Sequence, residues 1–385
     1  MSAASEEPAT VAQPVAKPVA QPVAQPVAQP VAQPVARPVV QPVAQPPKAA
    51  VVAKPINLGL DVGTMNLVCA RANQAGKIEI ANLRNVFLTV DDVHIEGMDL
   101  SKISHARIDD GVFILSNDAY NFANIFGYRL SRSMQKGMIS PEDINSTDIL
   151  AVMIRELLNI EPGVKQGKCV YSVPGDPVNS KSNVLYHRNI LGRIISEIGF
   201  EPEPLNEATA IIYAECAETD FSGISISFGA GLTNVAVVYK SIPVLEFALS
   251  RGGDWIDDNV AMAVGTIPNR VVAIKEKDFH LDRYDMGRKK ERKVREALGY
   301  YYKNLIQFVV KSCLQELDRR DLDLGFPNSI PLIISGGTSL AGGFLDFIRS
   351  QVEENAWPLD LSEIRYAGDP LSCVAQGCLI KALKQ

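Results

Sequence analysis

Asn57-Leu-Gly-Leu-Asp-Val-Gly-Thr-Met-Asn66 is an apolar run of strand character that breaks into glycines. Glycine has no Cβ, so backbone N–H groups in such a turn can approach a phosphate without obstruction. A single segment of this kind is weak, because glycines in a strand more often mark a plain turn or bulge. The pattern returns in Ile226-Ser-Phe-Gly-Ala-Gly-Leu-Thr-Asn-Val235 and in Leu332-Ile-Ile-Ser-Gly-Gly-Thr-Ser-Leu-Ala-Gly342. Three such segments, spread over two halves of one chain, read together as one split nucleotide site.

Around them the hydrophobic pattern alternates between strand and helix. Ile56–Asp61, Leu67–Ala72 and Lys77–Ala81 read as short strands, and residues 106–115 as a strand pair turning at Asp109-Asp110-Gly111. Ser146 or Thr147 is expected to cap a helix that stops near Asn159. A strand at Lys168–Val173 leads to a second helix, capped by Asn179 or Ser180 and ended by Gly199. The order then repeats: strands at Ile224–Phe228, Asn234–Tyr239 and Val244–Ser250, then a helix from about Asp254. A long helix follows from about Arg292 to Asp318, with Val294, Leu298, Tyr301, Leu305, Phe308, Val309 and Leu317 inward. The strand Leu332–Ser335 and helices through Phe344 and Val374–Leu383 complete an α/β pattern with two related halves.

The 385 residues and net charge of −6 fit a two-domain protein without nucleic acid as a bulk electrostatic partner. From Pro14 to Pro46 a proline recurs every fourth residue in a Gln-Pro-Val-Ala repeat whose only charges are Lys17 and Arg37. Proline at that density removes donors and fixes φ, so residues 1–54 are expected to form a disordered, extended polyproline-II arm. It reads first as a spacer and second as a docking ligand for an aromatic-lined groove. No secretory signal and no membrane span is visible, so a soluble, cytoplasmic protein is expected. The six cysteines lie among apolar residues and the four histidines lack ligand spacing, which disfavours disulfides and metal bound by nitrogen or sulfur.

Several motifs in order resemble the actin-like ATPase superfamily, and within it the bacterial actin homologues of the MreB and MamK type. Gly59-Leu-Asp-Val-Gly-Thr-Met-Asn-Leu67 resembles the first phosphate loop of that family. Met134-Gln-Lys-Gly-Met-Ile-Ser140, Arg251-Gly-Gly-Asp254 with Asp257, and Asp369-Pro-Leu-Ser-Cys-Val-Ala-Gln-Gly377 are similar to three further stretches of it. Ser335-Gly-Gly-Thr-Ser339 is similar to the adenosine loop of actin itself. The resemblance spans Ile56 to Leu383. It implies an actin-like, ribonuclease H-like duplicated two-domain fold with a nucleotide cleft: domain I at 55–205, with residues 366–385 returning to it, and domain II at 206–365.

The resemblance also implies ATP and Mg²⁺ as ligands. Gly59, Asp61, Gly63, Thr64 and Asn66 would face Ser227, Gly229, Ala230, Gly231 and Thr233 across the phosphates. Gly336, Gly337 and Thr338 would border the adenosine, with Lys275 and Glu276 as its other wall or as a solvated helix end. Asp61 is the expected metal residue. Glu207, at a helix start, is the expected residue for orienting the attacking water.

Two departures bear on turnover. Ser227 stands where the family usually carries an aspartate, and Asn234 where an acidic residue is frequent. Loss of a positioned acid–base group costs on the order of 10²–10⁴ in rate, so nucleotide binding with slow hydrolysis is expected. The stretch between Lys275 and about Arg292 is short for the family, which implies a reduced outer subdomain in domain II. The basic cluster Arg288, Lys289, Lys290, Arg292, Lys293 and Arg295 fills part of that gap, as a solvated helix face or a contact for an acidic partner or the next subunit. The leading reading is a nucleotide-dependent filament for cell shape or intracellular positioning, with the arm reaching an envelope or organelle partner. A nonpolymerising, nucleotide-sensing adaptor of the cell-division or pilus type is the alternative, and a small-molecule kinase a distant third.

Overall fold

The computed structural model describes residues 55–90, 99–126, 128–139, 144–160, 164–180, 184–283, 291–319 and 328–384. The Gln-Pro-Val-Ala arm and Arg288, Lys289 and Lys290 of the basic cluster lie outside the described residues.

The first half opens with three antiparallel strands, β1 (Ile56–Val62), β2 (Asn66–Ala72) and β3 (Ile78–Arg84). β4 (Phe87–Val90), β5 (His105–Ile108) and β6 (Gly111–Leu115) form a separate antiparallel sheet in the order β4-β6-β5. After α1 (Ser116–Phe126) and α2 (Ile144–Leu158), β7 (Gln166–Val173) pairs parallel with β1. α3 (Val184–Ile198) then crosses to β8 (Glu201–Asn206), parallel to β7, which gives a sheet of order β3-β2-β1-β7-β8.

The second half repeats that plan. α4 (Glu207–Glu215) leads into antiparallel β9 (Gly223–Phe228), β10 (Thr233–Tyr239) and β11 (Ile242–Leu249). Three helices follow, α5 (Gly253–Val264), α6 (Pro268–Asp278) and α7 (Arg292–Arg319). β12 (Ile330–Ser335) pairs parallel with β9, and after α8 (Phe344–Glu354) β13 (Leu361–Tyr366) pairs parallel with β12. The order β11-β10-β9-β12-β13 reproduces the first sheet strand for strand. The chain closes with α9 (Cys373–Leu383).

The burial of each strand explains its place. Every residue of β9 and β12, the parallel pair at the centre of a mixed sheet, is buried, as helix cover on both faces requires. α4 and α9 supply part of that cover: Ala208, Ala210, Ile211 and Ile212 of one meet Cys373, Val374 and Cys378 of the other, with Val170, Ala236 and Ile333 from the two sheets. α9 also reaches the first sheet, where Ala375 and Leu379 pack on Val68 and Ala70 and the carbonyl of Ala382 accepts from Asn57 Nδ2. α7 turns Val294, Leu298, Leu305, Val309 and Leu317 inward at helical spacing. Tyr301 and Phe308 are only half-buried on it, and Tyr302 is the tyrosine that fills the core.

Several local expectations change. α2 begins at Ile144, so Ser146 and Thr147 are buried in its first turn instead of capping it. Asn179 accepts the N–H of Ser250 through Oδ1, and residues 181–183, where its capping would act, lie outside the described residues. β4, β8, β13 and α1 were not anticipated, and α6 supplies the helix whose last turn carries Lys275 and Glu276. All six cysteines are buried, and among the described residues no helix is long and apolar enough to cross a membrane.

Candidate functional site

The two phosphate-loop segments fold into the same four-residue turn. In the first, Gly63 N–H donates to the Asn66 carbonyl at 3.0 Å; in the second, Gly229 N–H donates to the Leu232 carbonyl at 3.0 Å. A Cβ would meet that same carbonyl at 2.8 Å on Gly63 and at 2.9 Å on Gly229, so both positions need glycine for one reason. Between the anchors, the N–H groups of Thr64, Met65, Ala230 and Gly231 have no carbonyl partner among the described residues. Such donors at paired hairpin tips are what an anion binds.

Both tips border one cleft of about 780 Å³. Asp61, Gly63, Thr64 and Asn66 line it from the first half. Glu207, Ser227, Gly229, Ala230, Gly231, Lys275, Glu276, Gly336, Gly337 and Thr338 line it from the second. The halves touch tightly beside it: a Cβ on Gly231 would run into the backbone of Gly137, in the Met134–Ile139 loop. Arg132 Nη1 donates to both oxygens of Asp254 at 2.7 and 2.8 Å, and Arg84 pairs with Glu276 at 3.7 Å.

Two expected residues are not on the cleft. Gly59 lies in the middle of β1, where a Cβ would collide with the Ala375 carbonyl and the Leu379 nitrogen, so its role is the close approach of α9. Thr233 is fully buried and donates to the Arg251 carbonyl at 2.8 Å, bracing the turn that starts α5. Lys275 and Glu276 line the wall but are already paired. The Lys275 ammonium holds Asp257 Oδ2 at 2.5 Å, and Glu276 faces Arg84. The other oxygen of Asp257 is buried with no partner among the described residues, and burial pushes its carboxyl up to about 6.

At the Gly336-Gly337-Thr338 end of the cleft, Gly336 adopts φ 90°, and a Cβ there would strike the Phe228 backbone. Thr338 Oγ1 donates to the Gly229 carbonyl at 2.9 Å, tying this loop to the second phosphate turn.

The end of the cleft beside the phosphate turns holds two buried carboxyl groups, Asp61 and Glu207. Asp61 Oδ1 accepts from Ser172 Oγ at 2.7 Å. Glu207 has a donor on each oxygen: Ser227 Oγ at 2.6 Å and Asn234 Nδ2 at 2.8 Å. Asn234 is itself fixed, since its Oδ1 accepts the Gly175 N–H at 2.9 Å. The two positions that depart from the family pattern are therefore the two that grip Glu207. Burial, then the neighbouring Asp61 charge, push Glu207 up to about 8, and burial pushes Asp61 up to about 6. Two buried carboxyls that hold their protons for want of a cation, beside N–H donors with no carbonyl partner among the described residues, fit a hydrated Mg²⁺ shared with phosphate oxygens.

Both carboxyls shift upward, so the folded protein without metal retains protons that the unfolded chain releases. The stability this brings is full below pH 4.5, the ordinary value for Glu207, and is lost as pH rises through about 8. Urea midpoints of the metal-free protein should fall across that window, and Glu207→Gln should flatten the fall. A wild-type midpoint independent of pH would contradict the assignment.

Sequence reasoning missed Ser172 and Arg84. Ser172 reaches Asp61 only through the parallel β1–β7 pairing, and no local spacing marks it. Arg84, at the end of β3, is placed at the cleft by the sheet alone.

A sequence-family profile described as Volactin matches residues 56–382. No curated protein matches the sequence. Among solved structures the fold is similar to a MamK double helical filament, at 16% identity and a TM-score of 0.63, over 86% of this chain and 99% of that one. MreB5 of Spiroplasma citri bound to ADP is similar at 16% identity and a TM-score of 0.61, over 86% and 97%. The ethanolamine utilization protein EutJ from Carboxydothermus hydrogenoformans is similar at 15% identity and a TM-score of 0.52, over 86% and 91%. At these identities the likeness is one of fold.

Proposed function

The chain belongs to the Volactin family and has the fold of the bacterial actin homologues, and from that premise we propose that it is a cytoskeletal or scaffold protein that binds ATP·Mg²⁺ in the cleft and self-associates head to tail. The observation that carries this reading is the pair of equivalent turns, around Gly63 and Gly229, aiming unpaired N–H groups into one cleft above two buried carboxylates. The body divides at 205/206 into two domains, with residues 366–385 returning to the first. Heterologous contacts of such a body do not close and so build filaments.

In this reading Thr64, Met65, Ala230 and Gly231 hold phosphate oxygens through their N–H groups, and Gly336, Gly337 and Thr338 border the nucleoside. Asp61 would hold Mg²⁺ through its waters, and the ion would neutralise phosphate charge. Glu207 orients the attacking water, but both its oxygens are occupied by Ser227 and Asn234 and its carboxyl favours the protonated form. Hydrolysis is therefore slow, and the nucleotide acts as a latch on the state that binds the next subunit. The protein works in the cytoplasm, at the inner face of the membrane where a partner recruits it, in cell shape or intracellular positioning.

Sedimentation with ATP, ADP or a nonhydrolysable analogue tests the reading. Pelleting is expected with ATP and the analogue, with phosphate release lagging far behind assembly. A protein that stays in the supernatant with every nucleotide would instead be a nonpolymerising, nucleotide-sensing adaptor. One asymmetry favours that second reading: the first half carries the extra sheet β4-β6-β5, whereas the described residues between β11 and β12 form helices and no sheet.

A further inference from the structure

A second depression, of about 380 Å³, lies between α5 and α7, away from the cleft. Its walls are rings. The Arg251 guanidinium sits 4.8 Å from the Trp255 ring centre and 4.0 Å from that of Phe308, so it is stacked between them. Tyr301 stands edge-on to Trp255 at 5.6 Å and to Tyr300 at 5.3 Å. Trp255, Tyr301 and Phe308 rest against the core on one side only, and Tyr300 is 65% exposed. Rings standing on edge leave slots between them.

The polar groups of the depression are two cations, Arg251 and Lys311, and two amides that both donate and accept. Asn304, Gln307 and Lys311 follow Tyr300 at helical spacing along one face of α7 and border the same groove. No carboxylate lines it. Such a surface fits an uncharged chain of compact apolar rings with exposed backbone carbonyls, which describes a proline-rich polyproline-II segment.

The sequence contains such a segment. Residues 18–36 carry no charge and repeat Pro-Val-Ala-Gln, so nothing in them opposes Arg251 or Lys311. The groove is also long enough: Tyr300 and Phe308 are eight residues apart on α7, about 12 Å along a helix axis. With three residues per turn, a polyproline-II segment of this repeat presents a Pro-Val pair and the next Gln-Pro pair on the same two edges about 9 Å apart, within that length.

We propose that the groove formed by Trp255, Tyr300, Tyr301 and Phe308 docks the Gln-Pro-Val-Ala repeat of a second copy of this chain. Each copy carries one groove and several equivalent registers of the repeat, so a neighbour is captured without one fixed alignment. The contact needs no nucleotide and is therefore separable from assembly through the cleft.

The test uses the full-length protein with p-benzoylphenylalanine in place of Tyr300, prepared as an equal mixture of light and ¹⁵N-labelled chains. Irradiation should give crosslinks onto residues 14–46, with light–heavy pairs among them, with or without nucleotide. Crosslinks confined to same-isotope pairs, or to segments outside the repeat, would overturn the proposal. A fluorescent peptide of four Gln-Pro-Val-Ala units should also bind the full chain, and Tyr300→Ala should weaken it roughly ten-fold, the scale of an exposed aromatic anchor. Equal binding by a peptide with alanine at every proline would likewise reject it. Tyr300 projects into solvent, so the variant should melt with the wild type and loss of binding will report the contact.

Discussion

Gly377→Ala is expected to destroy the folded body, although helix propensity alone predicts the opposite. Inside a helix, replacing glycine by alanine stabilises by about 1 kcal/mol. In α9, however, a Cβ on Gly377 would fall on the carbonyl of Ala210 in α4, well inside van der Waals contact. The obstacle is helix backbone on both sides, and no rotamer relieves it. The two helices would have to part where Ala208, Ile211, Cys373 and Cys378 are buried between the sheets. A loss beyond about 4 kcal/mol, in the exceptional range for one substitution, should follow. Gly59→Ala should behave alike, because its Cβ would strike the α9 backbone, and saturating nucleotide should rescue neither. Gly192→Ala in α3 is the control: its Cβ would meet only the end of Tyr171, 3.1 Å from the hydroxyl. Thermal unfolding of the three variants reads this directly, and a Gly377→Ala protein melting at or above the wild type would refute the packing.

Ser227→Asp is expected to separate stability from turnover. The hydroxyl it replaces lies 2.6 Å from Glu207, and Asp61 already repels that carboxylate. A third acidic group in a buried site without a cation should cost about 3–5 kcal/mol, the penalty of an uncompensated buried charge. Mg²⁺ with nucleotide should recover most of it, so the variant's melting temperature should depend far more steeply on metal than the wild type's. Glu207 would also lose one of its two donors, and phosphate release should rise, by on the order of 10². Unchanged metal-free stability would mean that Ser227 does not hold Glu207 in solution. Unchanged turnover would place the block elsewhere, with Asn234 the next candidate.

The sequence disclosed most where side-chain period and burial coincide. β9 and β12 are unbroken apolar runs because they are buried on both faces, and α7 shows its inward stripe over 28 residues. The edges were illegible for a physical reason. β8 reads Glu-Pro-Glu-Pro-Leu-Asn, and prolines argue against a strand except at a sheet edge, where β8 lies. β13, at the matching edge of the second sheet, shows no apolar alternation. In the site, motif residues at the hairpin tips reached the cleft. Gly59 did not, because a glycine has the same letter whether a phosphate or a helix approaches it. Asn234 was visible as a departure, but its grip on Glu207 emerges only once β9 and β10 pair.

The placement of α9 also sets an order of events on the ribosome. Val68 and Ala70 of β2 are covered by Ala375 and Leu379, about three hundred positions later in the chain. At 5–20 residues per second, that face of the first sheet stays uncovered for roughly fifteen seconds to a minute of synthesis. The core of the amino-terminal half, with Leu58, Leu60, Leu67, Ile149, Met153 and Ile194, is drawn from its own residues, so it is the α9-facing side that stays open while the rest is translated. That side waits for the final helix, and truncated products ending before residue 373 leave Val68 and Ala70 as an open apolar face.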